Sequence, residues 1–234
     1  MKLYELAFAC WVYPAFGDFD KSLSEFRRKV GPDLDPFNAA HREALFVWLN
    51  AWGCRQFAKD YYAMAGRSLT AWAERFMDRL PRRGATLVEL PDSALDLAAE
   101  TYGNLMERRA CLRTRKSKAS CVTFGPTGAA KTLFALRPSA LLPWDDPIRE
   151  KLNFDGSADS YRRFLQRAQR QAQELSADAA RFGLDLSRIR SVLGRPNSTI
   201  CKLIDEYHRI TMSKGCQPPS TDQLGMWTRW AGST

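Results

Sequence analysis

Histidine is nearly absent from this chain, with two residues in 234. The six cysteines, at positions 10, 54, 111, 121, 201 and 216, form no C-x-x-C pair and no closely spaced set of four. A zinc centre or an iron–sulfur loop needs such ligands in tight groups, so neither is expected and no cofactor is implied. No run approaches the roughly 20 apolar residues of a membrane span. The opening MKLYELAFACWVYPAFG has Glu5 inside its apolar run and no basic flank beyond Lys2, so it reads as a buried amphipathic helix rather than an export signal. A cytoplasmic protein with reduced thiols is expected. Period-two alternation is also scarce, which weighs against a β-rich fold.

What is present is helical periodicity. Leu45, Trp48, Leu49 and Trp52 recur at i, i+3, i+4 and i+7 behind a capping Asn38, and Gly53 closes the run. Further helices are expected at about 55–65, 69–80, 93–112, 148–155 and 158–182, with a last clear one around Ile200, Leu203, Ile204 and Tyr207. Aromatics make up 12% of the chain, with seven Trp, enough apolar bulk for a sizeable core. The expected fold is all-α: a helical bundle of one or two lobes over residues 1–213, followed by an irregular tail from 214 to 234.

Acidic residues are outnumbered, 26 against 35 basic ones, for a net charge of +9. The excess is clustered. RRACLRTRKSK gathers Arg108, Arg109, Arg113, Arg115, Lys116 and Lys118, and Arg162, Arg163, Arg167 and Arg170 recur along the expected long helix. Such clustering points to a polyanion held through its phosphates, hence to DNA as partner and not to a membrane. A solvated basic face is the alternative, and a monomer is expected.

The most informative stretch is CVTFGPTGAAKTLFALRPSALLPWDDPIR, from Cys121 to Arg149. A turn with Gly125, Pro126 and Gly128 leads into an apolar helix bearing Lys131. A loop with Pro138 and Pro143 then brings Trp144, Asp145 and Asp146 to the start of a second helix. The loop is long enough to return Asp145 beside Lys131, since an extended residue spans roughly 3.3 Å and a helical one about 1.5 Å. GPTGAAKT falls one residue short of the nucleotide-binding P-loop pattern, with Ala130 in place of its second glycine. LLPWDD also follows too soon for the crossover that parallel strands require. The other reading is a helix-hairpin-helix near residues 112–137, in which amides at a helix N-terminus face a phosphate.

On these residues the chain resembles the helix-hairpin-helix DNA glycosylase superfamily. The resemblance covers about 30 of the 234 residues. It implies that Gly125 and Gly128 form the hairpin, that Lys131 is the lysine after it, and that Asp145 is the aspartate further on, with Asp146 as its neighbour. The implied activity is excision of a modified base that has left the stack, from damaged DNA or from modified viral DNA. Asp145 would stabilise the cationic sugar or deprotonate the nucleophile. Lys131 would either attack C1′, giving a glycosylase with lyase activity, or grip a phosphate. For the base pocket the candidates are Trp144, Trp48, Trp52 and Tyr207 as stacking faces and Asn50, Arg55 and Gln56 as polar groups. Asp145 before Asp146-Pro147 also has the form of a simple helix cap. A non-catalytic helical DNA-binding module remains the competing class.

Overall fold

The computed structural model describes residues 1–17, 19–115 and 118–231. Eleven helices occur among them: α1 (Leu3–Val12), α2 (Phe19–Val30), α3 (Ala39–Ala51), α4 (Tyr62–Phe76), α5 (Asp92–Met106), α6 (Gly125–Leu136), α7 (Asp146–Leu152), α8 (Ala158–Ala180), α9 (Leu186–Val192), α10 (Ile200–His208) and α11 (Thr221–Ala231). Two strands, β1 (Arg109–Arg115) and β2 (Lys118–Thr123), form an antiparallel pair between α5 and α6. The fold is therefore mostly helical, as the periodicity predicts. None of the helices described is long and apolar enough to cross a membrane.

The centre of the molecule is α6. Every residue from Gly128 to Leu136 is buried, Lys131 and Thr132 included. A helix apolar on all sides has no solvent face to offer and must be enclosed. Here α3 and α5 pack against it, and a single large core runs from Phe26 to Ile204 through Trp48, Phe57, Trp72, Phe134 and Phe164. Two smaller clusters, one around Leu6, Leu175 and Leu203 and one around Ala9, Tyr13 and Ile210, seat α1 on the C-terminal half.

Several local signals behave as the sequence predicts. The Asn38 side chain accepts from the amides of Ala40 and His41, so it caps α3, and Gly53 beyond its end takes φ +86°. Ser157 caps α8 in the same way, a cap that the sequence reading does not single out. Other expectations are corrected. The helices expected at 55–65 and 69–80 are one helix, α4, preceded by a short tight turn at Lys59–Tyr61. The expected helix to residue 112 ends at Met106, and the tail expected to be irregular from 214 contains α11. Neither α2 nor α9 is foreseen.

The helix-hairpin-helix expected near 112–137 takes a different form. Leu112 lies in β1, and the chain reaches Gly125 from β2, so an antiparallel hairpin precedes the glycine turn instead of a helix. The reason is electrostatic as well as steric. A helix over Arg108–Lys118 would stack like charges at i, i+4, Arg109 over Arg113 for example, which is unfavourable. Thr114, Val122 and Thr123 are β-branched and suit a strand. A P-loop arrangement is not formed either, since the strands described are antiparallel and no parallel neighbour lies beside them.

Candidate functional site

The loop between α6 and α7 is held by aromatic side chains, and this fixes Asp145. The Tyr161 hydroxyl donates to the Leu142 carbonyl at 2.9 Å, and the Tyr102 hydroxyl donates to the Gly156 carbonyl at 2.7 Å. Trp144 packs edge-on against this stacked tyrosine pair, with its ring centroid 5.2 Å from that of Tyr161 and 5.1 Å from that of Phe164. It is only 1% exposed. Trp144 therefore positions the acidic pair from below and does not serve as a base-stacking face, contrary to the sequence expectation.

Directly after Trp144, Asp145 caps α7. One carboxylate oxygen accepts from the Ile148 amide at 3.3 Å, and the other lies 3.6 Å from an Arg209 guanidinium nitrogen. Asp146 instead points outward, pairs with Arg149 and accepts from the Thr127 hydroxyl at 3.2 Å. Arg149 also donates to Thr127, at 3.0 Å. The side chains differ in exposure, 21% for Asp145 against 68% for Asp146, and this separates the two carboxylates. Asp145 faces the interior, whereas Asp146 belongs to a rim of Thr127, Asp146 and Arg149.

Lys131 reaches the same place from α6. Its ammonium donates to the Trp52 carbonyl and sits 5.7 Å from the Trp52 ring centroid. A cleft of about 620 Å3 opens here, and both Lys131 and Asp145 line it, together with Trp52, Gln56, Arg149 and Arg209. The pairing of amine and acid inferred from chain geometry is thus present as a shared cavity. Among the described residues they form no ion pair with each other, because Asp145 faces Arg209 and Lys131 faces Trp52.

The other expected pocket residues divide. Trp52 and Gln56 are in the cleft wall. Trp48 is stacked on Phe26 at 5.0 Å in the core, and Asn50 donates to the Phe57 carbonyl and to the Tyr62 hydroxyl, bracing the α3–α4 connection away from the cleft. Both are corrected to structural roles. Gln56 donates to the Phe124 carbonyl at 2.6 Å, tying the cleft wall to the start of α6. Arg55 and Tyr207 do not line the cleft.

Of the two glycines, Gly125 lines the cleft with φ +63°, a left-handed conformation that lets the chain turn from β2 into α6. Gly128 has a different reason to be glycine. A Cβ there would lie 2.8 Å from the Gln56 amide nitrogen and 3.3 Å from the Phe57 ring. It is buried and makes room for a side chain. Gly128→Ala is therefore expected to cost about 1 kcal/mol net, overpacking being offset in part by helix propensity. DNA affinity should be unchanged, as read by a denaturant melt beside a binding isotherm; a weaker isotherm at unchanged stability would restore the phosphate role.

Arg113 is exposed on β1, one strand away from the entrance of α6. Lys116 lies outside the described residues, as do the side chains of Arg115 and Lys118.

The sequence reading misses Arg209, Arg149, Cys54 and Asp205. Burial pushes the Cys54 thiol up, with Lys131 opposing and Asp145 and Asp146 reinforcing the rise. Arg209 opens a π-turn (Arg209–Ser213) that continues α10, a widened turn often found at functional sites. Behind the cleft lies a buried ionic cluster. The Lys202 ammonium is 2.9 Å from Glu206, 3.0 Å from the Tyr13 hydroxyl, 3.6 Å from Asp20 and 3.8 Å from Asp205. Arg195 closes it by pairing with both Asp20 and Glu206. No group of side chains with metal-ligand character occurs among the described residues.

Comparison of the chain with protein-family models, with characterised proteins and with solved structures finds no match.

Proposed function

We propose that this chain is a DNA glycosylase that takes a modified base into the cleft beneath Lys131 and Asp145 and breaks its N-glycosidic bond. The observation that carries this reading is the shared cleft. A lysine from the central helix and a carboxylate from the cap of the next helix, brought back to it by the intervening loop, line one opening of about 620 Å3. That volume is in the range of ligand pockets and suits an extruded nucleoside. Breaking the bond develops positive charge on the sugar, and the Asp145 carboxylate is the group to stabilise it. Trp52 and Gln56 form the wall against which the base would lie. Lys131, Arg149 and Arg209 supply positive charge for the phosphates on either side.

The basic hairpin supports DNA as partner. Its second strand runs straight into the cleft through Phe124 and Gly125, so a duplex contacting Arg108, Arg109 and Arg113 has its backbone close to the opening. A two-stranded ribbon is also a shape that DNA grooves admit. If about six basic groups engage phosphates, affinity falls roughly 10³-fold between 50 and 200 mM salt.

The test is a panel of duplexes carrying oxidised, alkylated or glucosylated bases, treated with protein and then with alkali. A glycosylase leaves abasic sites that alkali converts to strand breaks on at least one member. Binding with a steep salt dependence and no breaks across the panel would favour the non-catalytic DNA-binding module, for which the capping role of Asp145 is sufficient.

A further inference from the structure

Beyond Asp145 the cleft adjoins a second, much smaller cavity of about 20 Å3. Lys131, Asp145 and Arg209 line both spaces, and Asp205 and Tyr13 line only the inner one, between aromatic walls that include Trp52 and Trp144. The volume is that of a single water, which needs a site of at least about 10–15 Å3 and two to four polar partners. The partners are at hand. Among the described residues Arg209 Nε is buried without a hydrogen-bond partner, although it is an obligatory donor, and its guanidinium also lies 3.6 Å from Asp145.

From this geometry, and resting on the glycosylase reading above, we infer that the inner cavity holds the attacking water and that Asp205 is the general base which deprotonates it, so that Lys131 is not the nucleophile. Asp145 then has one task, stabilising the sugar cation from the cleft side. In the step, the water oxygen forms a bond to C1′ as the C1′–N bond breaks, and the bonding pair leaves with the base. The water proton passes to the Asp205 carboxylate. The departing base takes a proton from solvent at the cleft mouth, and Asp205 returns its own to solvent. The net change is one water consumed for one free base and one abasic site.

The surroundings of Asp205 suit that task. It is faced by Lys202 and Glu206 on its own helix, by Arg209 just beyond it, by Lys131 of α6, by Asp145 before α7 and by Tyr13 after α1, with Asp20 of α2 on the far side of Lys202. Burial is the leading influence and pushes its carboxyl up to about 7, with Asp145 and Glu206 reinforcing the rise and Lys202 and Lys131 opposing it. A base of that strength is half ionised at neutral pH, where general-base catalysis is most effective. The ionised form is the active one, so base release rises with pH up to about 7 and then levels.

The experiment follows single-turnover base release between pH 5 and 9, for wild type and for Asp205→Asn, on whichever duplex of the panel the wild type cleaves, with borohydride trapping of the wild type in parallel. The expected result is a wild-type profile with one ionisation near 7, a loss of about 10²-fold or more in the variant together with that ionisation, and no covalent adduct. A second readout needs no substrate. A raised carboxyl keeps its proton in the folded state after the unfolded chain has lost it, so the wild type loses stability relative to Asp205→Asn as pH climbs from 3.8 to about 7, and no further above that. A wild type that releases base with a flat profile, a folded Asp205→Asn that keeps the wild-type profile, or an adduct formed at the rate of turnover overturns the water site and leaves the glycosylase reading standing. No base release by the wild type from any duplex ends both.

Discussion

Asp145→Asn is expected to lower base release by roughly 10²–10³-fold while the fold and the grip on DNA survive. The magnitude is that of removing one preorganised group from developing charge in a transition state. Asparagine is the informative replacement because the residue has two roles at once. Its side chain caps α7 through the Ile148 amide, and asparagine caps about as well as aspartate. Capping is thus retained while the negative charge opposite Arg209 disappears. If Asp145 were only a cap, the variant would behave as wild type in every assay. If it is the catalytic carboxylate, cleavage fails at unchanged melting temperature, and DNA affinity is unchanged or slightly higher because one negative charge near the phosphates is gone. Asp146→Asn is the internal control. That carboxylate belongs to the exposed rim with Arg149 and Thr127, and exposed pairs contribute little.

The largest effect on stability is expected from Lys202→Met. The lysine is buried, and burial alone would weaken its ammonium. Glu206, Tyr13, Asp205 and Asp20 outweigh that and hold it charged, its affinity for the proton raised above the ordinary value. Glu206 is fully buried, with its carboxyl pushed up by burial and pulled back by Lys202 and Arg195. Removing the lysine leaves a carboxylate with Arg195 alone and Asp205 without its nearest cation. Breaking a buried pair on one side typically costs about 3–5 kcal/mol, or roughly 6–20 °C in a chain of this size. Replacing both partners, Lys202→Met with Glu206→Leu, should recover part of the loss, because an apolar pair of similar volume is often neutral while Arg195 keeps Asp20. Denaturant midpoints for the single and double variants check this. A single variant within 1 kcal/mol of wild type would mean that water reaches the cluster.

The cluster also bears on the cleft. The Lys202 ammonium lies 5.5 Å from the Trp52 ring centroid, and that of Lys131 lies 5.7 Å from it. Trp52 is held further by its indole N–H, which donates to the Ser22 hydroxyl at 2.9 Å. One wall of the cleft is therefore a tryptophan held by two neighbouring cations and a hydrogen bond, which is the rigid support a precise site requires.

Much of the site was legible in the sequence because it depends on local rules. An apolar helix with one lysine, a loop bounded by two prolines, and an Asp-Asp-Pro helix start are short-range patterns, and loop length alone brings Asp145 back to Lys131. What was illegible depends on partners distant along the chain. The helix α10 and the π-turn that continues it carry Lys202, Asp205, Glu206 and Arg209 at i, i+3, i+4 and i+7, a stripe that by composition belongs in water. It is buried because Tyr13, Asp20 and Arg195, from three other segments, satisfy it. The hairpin was hidden for another reason. Its arginines mask the alternation of β1, and the repulsion that keeps them out of a helix shows only when spacing and charge are weighed together. The tryptophans were ambiguous in principle, since stacking on a base and packing in a core draw on the same apolar face. Only Trp52 of the three proposed reaches the cleft, while Trp48 and Trp144 support it from the core.

The most direct measurement of the central claim is mass spectrometry of the small molecules freed when the protein meets duplexes bearing oxidised, alkylated or glucosylated bases. The glycosylase account predicts a free base, released intact from an unbroken sugar–phosphate strand by the wild type and at least about 10²-fold more slowly by Asp145→Asn. A nucleotide product, or no product from any duplex despite tight binding, would contradict it.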